Sequence, residues 1–155
     1  MSRPPIDFLT FRMDVVNDQA KQLATAIYEK ACDVSLRELR VLRLAHRRPG
    51  ITQGEVSSMA RLEKTLVSKL VTSLARRDLL VRQIGTEDAR WVQLHLTDQG
   101  REIVKHCDRL GRKMEKSLLS VLSSEEVEVF EACLAKLAVQ VESGFDEVLP
   151  RKVSR

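Results

Sequence analysis

Between Ser35 and Arg76 apolar residues recur every three or four positions, with polar or charged residues filling the intervals. Such spacing predicts a run of amphipathic helices. The sharpest case is the stretch from Glu63 to Arg76. At about 100° per residue Val67, Leu70, Val71 and Leu74 share one face, while Thr65, Ser68, Lys69, Thr72 and Arg76 share the other. Upstream, Ile6, Leu9, Met13, Val16, Leu23, Ile27 and Ala31 predict a long first helix over roughly residues 6–31. Ser35-Leu36-Arg37-Glu38 reads as a capping box, opening a helix that buries Leu36, Leu39, Val41, Leu42 and Ala45 and stops at Arg48-Pro49-Gly50. Thr52-Gln53-Gly54-Glu55 is a second box, opening a short helix to about Ala60 with Val56 and Met59 inward.

After Arg77 the period changes to two. Leu79 to Ile84, a turn from Gly85 to Ala89, and then Val92, Leu94 and Leu96 alternating with Trp91, Gln93 and His95 predict a β-hairpin. Thr97-Asp98 caps a long helix carrying Ile103, Val104, Cys107, Leu110, Met114, Leu118 and Val121. Ser123-Ser124-Glu125-Glu126 opens the last helix, in which Val127, Phe130, Leu134, Leu137 and Val141 alternate spacings of three and four. The order predicts a mainly α fold with a small β-hairpin wing. Its middle, residues 35–97, reads as a winged helix-turn-helix DNA-binding domain. Residues 1–34 and 98–149 read as N- and C-terminal dimerisation helices, and residues 150–155 as a tail. The terminal helices carry apolar seams that so small a middle cannot cover, which points to a homodimer.

With 155 residues, 43% hydrophobic and 31% charged, the chain can build one good core or two small linked ones. No apolar run approaches the roughly 20 residues of a membrane span, and MSRPPIDFLTFRMD lacks the apolar stretch of a signal peptide. A cytoplasmic protein without membrane contact is expected. Cys32, Cys107 and Cys133 are widely spaced, which suggests neither a disulfide framework nor a metal ribbon; reduced, mostly buried thiols are expected. There is no phosphate-binding glycine loop, HExxH or GxSxG motif, so no enzyme, catalytic residue or cofactor is indicated.

Charge sharpens the picture. The net charge is +4, but residues 37–90 carry roughly +6, whereas from Ser123 to Leu149 seven acids face Lys136 alone. The polar face of the Glu63–Arg76 helix has hydroxyls and cations but no carboxylate, as suits a helix between two rows of phosphates. On that reading Lys64 and Lys69 contact phosphate or a guanine edge, and Thr65, Ser68 and Thr72 contact base edges or a thymine methyl. Arg76 extends the same basic face. Thr52 and Gln53 stand at a helix N-terminus and suit phosphate, although capping alone would account for Thr52. Trp91 either packs under the wing or lies near DNA.

The run Thr52-Gln53-Gly54-Glu55-Val56, through Lys64-Thr65-Leu66-Val67-Ser68-Lys69-Leu70-Val71 and Leu74-Ala75-Arg76-Arg77-Asp78-Leu79-Leu80-Val81-Arg82, resembles the MarR family of bacterial transcription regulators. The wing pattern Asp88-Ala89-Arg90, then Leu94-His95-Leu96-Thr97-Asp98-Gln99-Gly100, is its most specific part. The resemblance implies a homodimeric DNA-binding regulator, often a repressor released by a small aromatic or phenolic acid. It implies recognition-helix roles for Thr65, Ser68, Lys69 and Thr72, a minor-groove role for Arg90, and a wing-bracing role for Asp88. Two positions depart from the family pattern. Asp78 stands where glycine is usual, and Arg61-Leu62-Glu63 replaces a Gly-Val-Ser type of approach to the recognition helix.

Paired copies would place recognition helices about one helical turn apart on a near-palindromic operator. An effector between the dimerising helices and the DNA-binding lobe would be lined by Phe8, Phe11, Arg12, Val16, Arg43, His46, Cys107, Leu110 and Met114. Two other readings of these side chains stand beside it: Phe8 and Phe11 as dimer core, and His46 facing the carbonyls that end its helix. Alternatives of other kinds are a regulator gated by thiols or by a metal on His46, His106, Cys32 and Cys107, and a winged-helix module that binds protein without DNA.

Overall fold

The computed structural model describes residues 6–84 and 92–144. Helix α1 spans Leu9–Cys32, α2 Leu36–Arg47, α3 Gln53–Ala60, α4 Lys64–Arg76, α5 Asp98–Leu119 and α6 Ser124–Ser143. Three short strands, β1 (Ile51–Thr52), β2 (Leu80–Ile84) and β3 (Val92–Leu96), form an antiparallel sheet in the order β1-β3-β2. Leu80 pairs with Leu96 and Ile84 with Val92, as the alternation predicts. Strand β1 is new to the picture. Its two residues pair with Leu94 and Gln93, and two residues are too few to show a period.

All three predicted capping boxes form. The hydroxyls of Ser35, Thr52 and Ser123 accept from the backbone N–H of Glu38, Glu55 and Glu126, whose carboxylates accept from the capping residues' own N–H. The helix ends are less conventional, because Asp33, Arg61 and Asp78 all adopt left-handed backbone with φ of 52–53°. After α4 the N–H of Asp78 donates to Ala75 O and that of Leu79 to Leu74 O, the paired bonds of a Schellman end. Arg61 and Leu62 do the same to Ser58 and Ser57 after α3. The two departures from the family pattern thus take on the left-handed turns themselves, each at roughly 1 kcal/mol relative to glycine.

The chain divides into two compact units, residues 1–114 and 115–155. In the first, a single core joins Leu39, Val41, Leu42 and Ala45 of α2 to Val56 of α3, Val67, Val71 and Leu74 of α4, and Leu94 and Leu96 of β3. Tyr28 and Cys32 from the end of α1, and Val104 and Cys107 from α5, complete it. Met59, expected inward, is instead 48% exposed, and its sulfur accepts from Arg48 Nη1 at 3.3 Å. The turn at Arg61 ends α3 just beyond it, so Val56 and Ala60 alone make the inner face. Helix α6, in the second unit, buries none of its described residues; Phe130, Leu134, Leu137 and Val141 all remain exposed. On α1, Leu9, Val16 and Leu23 are likewise exposed, the last to 70%. No described helix is long and apolar enough to cross a membrane.

Candidate nucleic-acid interface

Helix α4 is held from behind and left open in front. Val67, Val71 and Leu74 are fully buried, while Lys64, Thr65, Ser68, Lys69 and Arg76 are exposed. Among the described residues the side chains of these five make no hydrogen bond or ion pair, so their donors and charges remain available. Ser68, Lys69, Thr72, Ser73, Arg76 and Arg77 line an open depression of about 460 Å³ along this face. Glu63 precedes the helix without a side-chain cap bond. Its exposed carboxylate is the one acidic group at the start of α4.

Neighbouring arginines divide into outward and structural ones, a division their spacing does not reveal. Arg76 is exposed, whereas Arg77 turns back: Nη1 donates to Glu38 Oε1 at 3.2 Å, and Nη2 to the carbonyl oxygen and the carboxylate of Asp33. Glu38 Oε1 also accepts from Ser73 Oγ at 3.1 Å. One carboxylate therefore caps α2 and clamps the end of α4. Arg40 Nη1 donates to Ala60 O at 3.1 Å and Arg101 Nη1 to Leu96 O at 2.7 Å, both bridging separate elements. Part of the basic excess of the middle third is thus spent on the fold.

Thr72 differs from its neighbours. It is half-buried, its hydroxyl donates to Ser68 O at 2.9 Å, and it accepts from Arg82 Nη2 at 2.6 Å. Arg82, on β2, was legible in the sequence only as one more cation; its reach to the recognition helix has no local signal. Thr52 is engaged as well, its hydroxyl donating to Glu55 Oε2 at 2.8 Å. The backbone N–H and the hydroxyl of Thr52 hold the Glu55 carboxyl below its ordinary range. A phosphate approaching this helix end meets the half-buried Gln53 beside that ionised carboxylate. Arg90 and Asp88, with Trp91, lie outside the described residues.

The expected effector lining does not gather into one place within the chain. Arg43 Nε donates to Asp108 Oδ1 at 2.7 Å, and its guanidinium lies 5.9 Å from the Tyr28 ring centre, beside the phenol. Burial works against the Arg43 charge, but the hydrogen bonds to Tyr28 and Asp108 outweigh it and raise its pKa. Gly111 makes the room, since a Cβ there would stand 2.8 Å from the Tyr28 hydroxyl. Cys107 is buried nearby, and Leu110 and Met114 pack on the core. Phe8, Phe11, Arg12 and Val16 sit at the other end of α1, roughly 18–30 Å along its axis from Tyr28. Phe11 is half-buried and the other three exposed, as is His46 in the last turn of α2.

Of the cysteines, Cys133 is exposed, against expectation, because it lies on the uncovered α6; Cys32 and Cys107 are buried. Burial, then a hydrogen bond with Cys32, pushes the Cys107 thiol from 9.0 up to about 12. An acid with a raised folded-state pKa contributes stability below its unfolded value and loses it as pH climbs toward the folded one. Stability is therefore expected to fall between about pH 9 and 12, and less so in Cys107→Ala, as pH-dependent urea unfolding would read. At pH 8 iodoacetamide is expected to label Cys133 in the native protein and Cys107 only after unfolding. Native labelling of Cys107 would show that its core opens. Among the described residues no three His, Cys, Asp or Glu side chains converge as a metal site.

A short brace helix, a groove-facing helix with an acid-free polar face, and a strand pair projecting beside it define a winged helix-turn-helix DNA-binding protein. Residues 34–92 match the MarR family. The chain is similar to the HTH-type transcriptional regulator YdgJ of Bacillus subtilis, 24% identical over 71% of this chain and 67% of that one. It is also similar to the transcriptional regulator HosA of Escherichia coli O157:H7, 26% identical over 68% and 78%. Among solved structures, Staphylococcus aureus MepR in complex with DNA superposes with a TM-score of 0.75 at 25% identity, covering 86% of this chain and 96% of that one. Streptomyces coelicolor PcaV in complex with its natural ligand shares the fold, with a TM-score of 0.72 at 22% identity over 89% and 97%. The chain carries a MarR-family domain and is a transcriptional regulator of that family.

Proposed function

We propose that two copies of this cytoplasmic chain pair through α1, α5 and α6, read a near-palindromic operator with their α4 helices as a repressor, and release it on binding a small aromatic or phenolic acid. The observation that carries the DNA reading is the face of α4. Two hydroxyls and three cations stand there exposed and unengaged among the described residues, on a helix whose other side is fully buried. Such a face offers donors to phosphates and guanine edges and repels neither. The DNA-bound MepR structure supports this reading, and the exposed apolar faces of α1 and α6 support a second copy as their cover. The ligand-bound PcaV structure supports an effector. In this chain a carboxylate seeking Arg43 must compete with Asp108, and doing so would loosen α2 from α5. That contact gives a ligand the differential affinity for two lobe positions that release requires.

The test is selection of bound duplexes from a random-sequence pool with wild type, Lys69→Ala and Arg90→Ala, followed by affinities across a salt series. A palindromic consensus, weakened in both variants, is expected, with the log–log salt slope of Lys69→Ala shallower by about 1. Benzoate-type acids are then screened for loss of binding. Selection that enriches no sequence would sink the DNA reading and turn attention to a protein partner on the same face.

A further inference from the structure

We infer that Thr72 reads the methyl group of a thymine, with Arg82 as the positioning residue that commits its hydroxyl elsewhere; this rests on α4 lying in the major groove as proposed above. A threonine side chain can show DNA two groups, a hydroxyl and a methyl. The hydroxyl has one proton, and in Thr72 that proton goes to Ser68 O at 2.9 Å. Guanine N7 and O6, adenine N7 and thymine O4 all require a donor, and Thr72 has none left. Accepting from an adenine or cytosine amino group would bring that partially positive group beside the guanidinium of Arg82, which already donates to the same oxygen at 2.6 Å.

The methyl remains. Thr72 lines the open depression along α4, so the group left without a partner faces the space a base edge would occupy. Thr65 and Ser68, two turns and one turn earlier on the same face, have hydroxyls unengaged among the described residues. The helix thus carries hydrogen-bonding readers in its first half and an apolar reader in its second. Arg82 sits opposite Leu94 in the sheet, and its remaining N–H groups are free among the described residues to meet a phosphate.

The experiment uses the full chain and the duplex found by selection, with each thymine replaced singly by uracil, which lacks only the C5 methyl. One thymine per half-site is expected to cost wild type roughly fourfold in affinity when its methyl is removed, the worth of one buried methyl group. Thr72→Ser, which keeps the hydroxyl and drops the methyl, is expected to lose that factor on thymine and nothing further on uracil. Thr72→Val, which keeps the methyl, is expected to retain the penalty, and Arg82→Met to shrink it by freeing the hydroxyl to turn. Identical uracil penalties in wild type and Thr72→Ser at every thymine would overturn the inference. So would a Thr72→Val protein that loses the discrimination Thr72→Ser keeps. A wild type that selects DNA but is indifferent to every uracil overturns this inference alone and needs no variant to fold; a wild type that selects nothing overturns the DNA reading with it.

Discussion

Gly100→Ala is expected to lower stability by about 3 kcal/mol, at the upper end of overpacking costs, and the melting temperature by roughly 10 °C. A Cβ at this position would stand 1.9 Å from Leu79 O and 3.0 Å from Leu79 C. The requirement is for space, not for unusual backbone, since Gly100 is not among the positive-φ residues. Nor can the obstructing carbonyl swing aside. Leu79 O accepts from Thr97 N at 3.3 Å, and Leu79 N is held by Leu74 O at 3.0 Å. Thr97 tightens the joint, donating its hydroxyl to Asp78 O at 2.6 Å and accepting from Gly100 N at 3.0 Å. The start of α5 is thereby seated on the turn that ends α4, which gives the Leu-Thr-x-x-Gly pattern a mechanical meaning. Urea unfolding of Gly100→Ala within 1 kcal/mol of wild type would show that this joint yields.

Glu38→Ala is expected to cost a similar amount, about 3 kcal/mol, as the loss of a helix cap and of charge-assisted hydrogen bonds to a half-buried guanidinium. Its carboxylate accepts from Ser35 N and Ser35 Oγ at the start of α2, and from Ser73 Oγ and Arg77 Nη1 at the end of α4. Glu38→Gln keeps a side chain that can close the capping box but gives up the charge facing Arg77, so about 1 kcal/mol is expected. The contrast is informative, because an ordinary capping glutamate would show only the smaller of the two effects in either variant. DNA affinity should follow stability in Glu38→Ala, since the clamp orients α4 against α2. Equal losses in the two variants would mean that the ion pair with Arg77, and not the cap, carries the contribution.

These residues also mark where reading the sequence succeeds and where it stops. The capping boxes, the buried stripe of α4 and the alternation of β3 are set by groups two to four positions apart, and all appear in the structure as their spacing predicts. Local geometry also identifies Asp78 as a residue that must take a left-handed turn, and it does. Other assignments were out of reach. Nothing in the sequence distinguishes Arg76, which faces outward, from Arg77, which reaches Asp33 and Glu38 some forty positions away. Arg43 could be read as an effector's partner because Asp108, which it meets, lies 65 residues further on.

The polar face of α4 and the helical frame that presents it follow from the sequence alone, because an amphipathic period and a cap are written within a few residues of one another. Tertiary structure alone decides which cations stay free for a ligand, which are consumed as struts, and which hydroxyl on α4 still has a proton to give. Those outcomes depend on donors and acceptors that the chain brings together only when it closes on its core.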